Sequence, residues 1–247
     1  MPRILIVAQE TGGVGKTTVT RGLAEAVPDA PIFEIESNKR ILEYDHGRAK
    51  GSLRVTHFPV RAERVDVERS GGQAARAEFD GVINAMIDIT LPTIVDVGAN
   101  AALSLMTLFD EELLNAFAEN EIELALLVIV AADASAMASA AKLMVAAKSW
   151  ATARFIVDNR LRGDPDAALL KRIADGSNVS TLAKRDFEPR TVRFVQAMGL
   201  VAIPGLKTSD LRDEMPFAEA RRMVGDLKAF RLEVMEAGRA GATWLAS

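Results

Sequence analysis

The chain has no cysteine in its 247 residues. That excludes disulfides, zinc–thiolate centres and cysteine-held iron–sulfur clusters. Histidine is almost as scarce, and the two present, His46 and His57, suggest no acid–base pair. Neither sign of charge prevails. Thirty Lys and Arg against 34 Asp and Glu leave a formal charge of −4. This argues against a generally basic nucleic-acid binder, though not against a local basic patch. Long hydrophobic runs are missing too. The longest, residues 124–132, falls far short of the ~20 apolar residues that span a bilayer. The chain enters its first apolar segment directly, without the pattern of a signal peptide. We therefore expect a soluble cytoplasmic protein with membrane contact unlikely.

Hydrophobic residues make up 49% of the chain, many of them alanine, which favours helix-rich α/β over all-β. The length suits one large domain. Apolar runs and amphipathic stretches alternate. Strands are expected at 4–8, 32–36, 53–58, 93–97, 123–132, 154–157 and 200–203. Helices are expected at 19–27, 73–88, 103–117, 135–150, 164–175, from about 188, and at 216–237. Gly71–Gly72 punctuates the chain before the second helix. Such alternation implies an α/β fold, a mostly parallel central sheet with helices on both faces. No repeat or linker interrupts it, so residues 1–247 read as a single domain closed by a C-terminal helix.

The most specific stretch is residues 9–18, QETGGVGKTT. A short strand precedes it and a helix follows, the arrangement of a phosphate-binding loop. Gly12, Gly13 and Gly15 allow close approach of the main chain to a polyphosphate. The loop N–H groups, from Gly12 through Val14 to Thr18, and the positive helix end would face the phosphates. Lys16 would reach the β- and γ-phosphates, and the Thr17 hydroxyl would complete a Mg²⁺ shell. The expected cofactors are ATP and Mg²⁺. Asp96 closes the apolar strand TIVDV, where a Walker B carboxylate sits, and Gly98 follows as a flexible switch. Glu34 and Glu36 stand at the end of the second strand, on the same side by alternation.

The glycine that opens the general loop pattern falls on Glu10 here. TGGVGKTT instead resembles the deviant loop of the ParA/MinD family of ATPases, usually written KGGxGKTT, with the signature lysine falling on Thr11. Other segments resemble that family in order along the chain, from Arg3 to about Pro204. Glu34-Ile35-Glu36-Ser37-Asn38 is similar to its DxDPQ segment, each acid one methylene longer. The resemblance implies a P-loop NTPase fold and roles for each residue. Glu34 joins Asp96 and Thr17 around Mg²⁺. Glu36 orients the attacking water, and with Lys16, Asp96 and Glu34 forms the catalytic set. Asn159, before Arg160, meets the base edge through its amide. Ala202-Ile203-Pro204 resembles the segment whose backbone flanks the base. Lack of cysteine excludes the iron–sulfur relatives of the superfamily.

The resemblance also implies a slow ATPase whose nucleotide state governs a homodimer and its binding to DNA or a partner protein. Plasmid partition or conjugative transfer fits better than division-site regulation, whose proteins end in a membrane-binding helix. The terminal stripe Phe217, Met223, Leu227, Phe230 and Val234 reads as packing on the protein's own core. The tail with Trp244 and Leu245 could still meet a membrane or a partner. Residues 160–200 carry eight Lys or Arg and five Asp or Glu, either a solvated helical face or a surface for nonspecific DNA contact. With Thr11 in place of lysine, either the protein is mainly monomeric with ATP, or another cation substitutes in the dimer, with Lys39 and Arg40 as candidates and Lys142 as a weaker one. Two other readings stand beside this one. One is an ATP-dependent small-molecule synthetase of the same superfamily. The other is a nucleotide-binding scaffold that hydrolyses little.

Overall fold

The computed structural model describes residues 1–45, 54–60 and 73–247. His46, Leu53 and the Gly71–Gly72 pair lie outside the described residues. Seven strands form one sheet: β1 (Arg3–Ala8), β2 (Ile32–Ile35), β3 (Val55–Phe58), β4 (Thr93–Val97), β5 (Glu123–Val130), β6 (Ala153–Asn159) and β7 (Asn178–Leu182). Their order is β3-β2-β4-β1-β5-β6-β7, and every neighbouring pair is parallel. The helices are α1 (Lys16–Ala26), α2 (Gln73–Ile87), α3 (Ala102–Met106), α4 (Glu111–Glu119) and α5 (Ala134–Ala146), then α6 (Ala167–Ala174), α7 (Pro189–Met198), α8 (Phe217–Ala237) and α9 (Arg239–Ala246).

A parallel sheet needs crossovers, and the crossover helices cover both faces. The central strands show the consequence. On β5, Ala125, Leu127 and Ile129 enter one core with α1, α8 and α9. Leu124, Leu126, Val128 and Val130 enter the other, with α2, α3, α4, α5 and α6. Both faces of β5 being apolar is why its sequence is an unbroken hydrophobic run. On the first face α1 and α8 pack closely at Gly22, against the side chain and backbone of Val234. A Cβ at Gly22 would lie 2.7 Å from the Val234 carbonyl oxygen.

Four expectations are revised. The helix expected at 103–117 is two, α3 and α4. Asp110 caps the second, its carboxylate accepting the Leu113 N–H at 3.0 Å, so the chain restarts there. Residues 178–182, NVSTL, form the edge strand β7. One neighbour and mostly exposed side chains leave it no hydrophobic signature. Residues 200–203 are no strand. They turn, with the Ile203 N–H donating to the Leu200 carbonyl at 3.1 Å, while both side chains fill the core. The tail after Gly238 is helix α9, and it packs inward. Leu245 is buried, the Trp244 ring lies 6.5 Å from that of Phe155, and Arg3 sits over it at 5.2 Å. In α8 the expected stripe is internal at Met223, Leu227, Phe230 and Val234, whereas Phe217 is exposed. Among the described residues no helix is long and apolar enough to cross a membrane.

Candidate functional site

The loop between β1 and α1 lies at the carboxyl end of the sheet, where open α/β sheets bind ligands. Its start is pinned by Gln9, which is fully buried. The Gln9 amide donates to the carbonyls of Ile129 at 2.6 Å and Ala136 at 3.0 Å, and its oxygen accepts the Thr11 N–H at 3.3 Å. Glu10, standing where the general pattern has glycine, turns away from the loop and accepts the Leu103 N–H at 2.8 Å. Gly13 and Gly15 have φ of 73° and 91°, left-handed angles that strain any other residue. A Cβ at Gly15 would also collide with the Asn159 amide. Helix α1 begins at Lys16, earlier than expected, so Lys16 and Thr17 occupy its first turn. The unpaired N–H groups of that turn therefore belong to the loop motif itself.

The loop floors an open cavity of about 450 Å³. Thr11, Gly12, Gly13, Val14, Gly15, Lys16, Thr17 and Thr18 line it, with Glu36, Arg40, Ala99, Ala131, Asn159, Leu161, Arg162 and Gln196 around the rim. A larger hollow of about 580 Å³ lies elsewhere, between the end of α1 and helices α8 and α9. No sequence motif points to it.

Beneath the loop lie two acids. Glu34 on β2 and Asp96 on β4 are register partners on adjacent strands, only 2% and 5% exposed. Glu34 accepts the Arg40 N–H at 2.7 Å, but its second oxygen has no hydrogen-bond partner. Asp96 likewise has one unpartnered oxygen. Burial pushes the Glu34 carboxyl up to about 7, opposed by the Arg40 N–H and reinforced by the Asp96 charge. Burial also raises Asp96, with the Lys16 ammonium and the Thr20 hydroxyl pulling it back. Glu36 lies just past the end of β2 and lines the cavity. Its carboxylate pairs with Arg40 Nε at 3.2 Å and accepts the Ser37 N–H at 3.2 Å. Gly98 ties the two strand ends together, its N–H donating to the Ile35 carbonyl at 2.6 Å. A Cβ there would come within 3.0 Å of the Glu36 carboxyl.

The residues expected to hold Mg²⁺ fit that ion. No cluster of three or more His, Cys, Asp or Glu exists among the described residues to cage a metal. What exists is a hydroxyl in the first turn of α1 and two buried carboxylates with unmet oxygens. That suits a cation that arrives on a polyphosphate and keeps much of its water.

Both ends of the Asn159 amide, expected to meet a base edge, are engaged within the protein. Its Nδ2 donates to the Val14 carbonyl at 2.7 Å and its Oδ1 accepts the Leu161 N–H at 3.1 Å. The side chain thus braces the loop from below while lining the cavity. Pro204 is exposed in a turn and does not line the cavity. Lys39 lies 3.9 Å from Asp45, and Lys142 is exposed on α5 away from the loop. Of the candidate cations only Arg40 reaches the cavity. His57 sits at the sheet edge, Nε2 2.7 Å from the Glu36 carbonyl oxygen. In residues 160–200, Arg160 pairs with Asp158, Arg185 with Glu233, and Arg190 with Glu219. Lys171, Arg172, Lys184 and Arg193 remain exposed.

Sequence reasoning missed Gln9, Arg162 and Gln196. Gln9 adjoins the glycine loop and could have been suspected as its anchor. Arg162 was visible only as one of several basic residues, because the fold alone brings its loop over Gly13.

No family model matches the chain, and no curated protein sequence does. Solved structures do resemble it. McdA of Cyanothece in complex with ATP is 16% identical, covering 91% of this chain and 96% of its own, with a TM-score of 0.46. The septum site-determining protein MinD of Pyrococcus horikoshii, with Mg-ADP, is 18% identical over 95% of each chain, TM-score 0.47. McdA of Cyanothece without nucleotide is 14% identical, covering 96% and 99%, TM-score 0.49.

Proposed function

We propose that the chain is a P-loop ATPase of the ParA/MinD kind, binding ATP·Mg²⁺ in the cavity above residues 11–18. One observation carries the reading. A loop with two left-handed glycines presents Lys16 and Thr17 at a helix N-terminus, the Lys16 charge acts on the buried Asp96, and Asp96 and its register partner Glu34 each keep an unmet oxygen. Buried unmet acceptors cost stability unless something completes them. A divalent cation brought by a nucleotide would do so.

The parts follow from the chemistry. Loop N–H groups and the α1 dipole hold the phosphates, and Lys16 adds a full charge. Thr17, Asp96 and Glu34 are the Mg²⁺ side of the site. When bound, Mg²⁺ supplies charge neutralisation to the phosphates. Glu36, at the cavity wall, orients the attacking water. Its ion pair with Arg40 must loosen for that, which together with its longer side chain makes turnover slow. Gly98, in contact range of the Glu36 carboxyl, would couple that event to β4.

The output is control of self-association and of binding to DNA or a partner protein by nucleotide state. Plasmid partition or conjugative transfer is the setting we favour. The exposed cations are split between the two sides of the sheet, Lys171 and Arg172 on α6 and Arg193 on α7, so a duplex would meet one group or the other. Duplex affinity would then fall steeply with salt. The test of the core reading is Lys16→Ala. It should abolish ATP·Mg²⁺ binding by calorimetry while leaving the thermal melt intact. Unchanged affinity would refute the site.

A further inference from the structure

We propose that Arg162 is a second phosphate-binding cation, acting on the nucleotide held by its own chain. The proposal rests on the nucleotide-binding reading above and extends it to the residue that replaces a missing charge. The loop position Thr11 is neutral and short, and its hydroxyl is 3.3 Å from the Ser135 hydroxyl. It can offer a triphosphate no charge. Arg40 also reaches the cavity, but in the nucleotide-free chain it is paired with Glu36. Arg162 is different. It lies on the loop between β6 and α6, lines the cavity, and is exposed. Its guanidinium Nη1 is 3.7 Å from where a Gly13 Cβ would stand. Among the described residues it makes no hydrogen bond or ion pair.

That combination is informative. Arg160, Arg185 and Arg190 pair with carboxylates, and Arg172 and Arg193 stay unpaired on the open surface; among the described residues Arg162 is the unpaired arginine that lines the cavity. Arg162 lies beside the backbone of the phosphate loop with its donors unused. Gly13, with no Cβ, lets the guanidinium lie close beside the loop at the cavity wall, where a ligand in the cavity would meet both. A planar fork of N–H donors facing a loop of N–H donors makes a two-sided anion site, suited to bidentate contact with phosphate oxygens. The brace under the loop is part of the same device. Asn159 bonds to the Val14 carbonyl and to the Leu161 N–H, so one side chain fixes the spacing between the loop and the segment that carries Arg162. Loop and arginine belong to one chain, so the contact needs no partner.

The experiment uses the full chain with ATP·Mg²⁺, inorganic tripolyphosphate and AMP as probes in titration calorimetry. Arg162→Ala should weaken ATP and tripolyphosphate about tenfold or more, as loss of charge-assisted bonds implies, with little change for AMP. Arg162→Lys should recover part of the loss, since it restores charge without the fork. Mixing Arg162→Ala with Lys16→Ala should restore nothing. ATP affinity in Arg162→Ala equal to the parent's would overturn the proposal and leave the nucleotide reading standing. Restoration by mixing would move the arginine's contact to a partner chain and overturn the claim that it acts within one chain. A parent that binds neither ATP nor tripolyphosphate would overturn the reading and the proposal together.

Discussion

Gln9 and the Glu34–Asp96 pair are all buried near the carboxyl ends of strands of one sheet. Gln9 meets two carbonyls and one N–H with its three partners, all from the protein itself. Glu34 and Asp96 each keep an oxygen that meets nothing, and each carries a carboxyl raised by burial. The contrast separates two uses of buried polarity. A satisfied group fixes geometry. An unsatisfied one costs stability; Asp158 and Trp150 also carry such an atom, and what sets Glu34 and Asp96 apart is that they are paired in register at the strand ends near the loop.

The comparison can be broken most sharply at Asp96. Asp96→Ala should lower ATP hydrolysis by about a hundredfold or more, because the Mg²⁺ side of the site loses a charged contact. Asp96→Asn, which keeps the shape and the Thr20 contact, should not lower the thermal melt without nucleotide, since a buried charge is removed. A lower melt would mean that Asp96 is structural, like Gln9.

Glu34 offers a pH test. Its folded value of about 7 stands above an ordinary 4.5, so the folded chain holds the proton more tightly than the unfolded one. Stability is then unpenalised below pH 4.5, declines between 4.5 and 7, and is lower by about 3 kcal/mol above that window. Glu34→Gln should flatten this slope in denaturant titrations of the nucleotide-free protein. A slope unchanged by the substitution would mean that other groups govern it.

Gln9→Ala is the converse. Leaving the Ile129 and Ala136 carbonyls unmet should cost about 2 kcal/mol of unfolding free energy, with only a modest loss of ATP affinity. A smaller effect still is expected from Thr11→Lys. Gln9 reaches Thr11 only through the backbone N–H, so the anchor survives while the added cation strengthens ATP-dependent dimerisation. Light scattering with a slowly hydrolysed ATP analogue would register it. No change would mean that another residue already serves the dimer.

The same distinction explains what the sequence could reveal. The glycine loop, Lys16, Thr17 and Asp96 sit on contiguous patterns, strand then turn then helix, and are legible from neighbours in the chain. The buried strands β1, β4 and β5 are legible from apolar runs. Edge strand β7 was not, because one exposed partnership demands no pattern. The apolar Leu200 and Ile203 mimicked a strand because the core needs their side chains and not their backbone. The bracing by Asn159 and the approach of Arg162 depend on β6 lying two strands from β1. Neither can be seen without the sheet order.

The account stands on polyphosphate binding at the loop, and calorimetric titration of the parent and Lys16→Ala with ATP·Mg²⁺ tests it most directly. The account predicts saturable binding of one nucleotide per chain by the parent and none by the variant, with matching thermal melts before nucleotide is added. Equal affinity in the two proteins, or no binding by the parent, would contradict it.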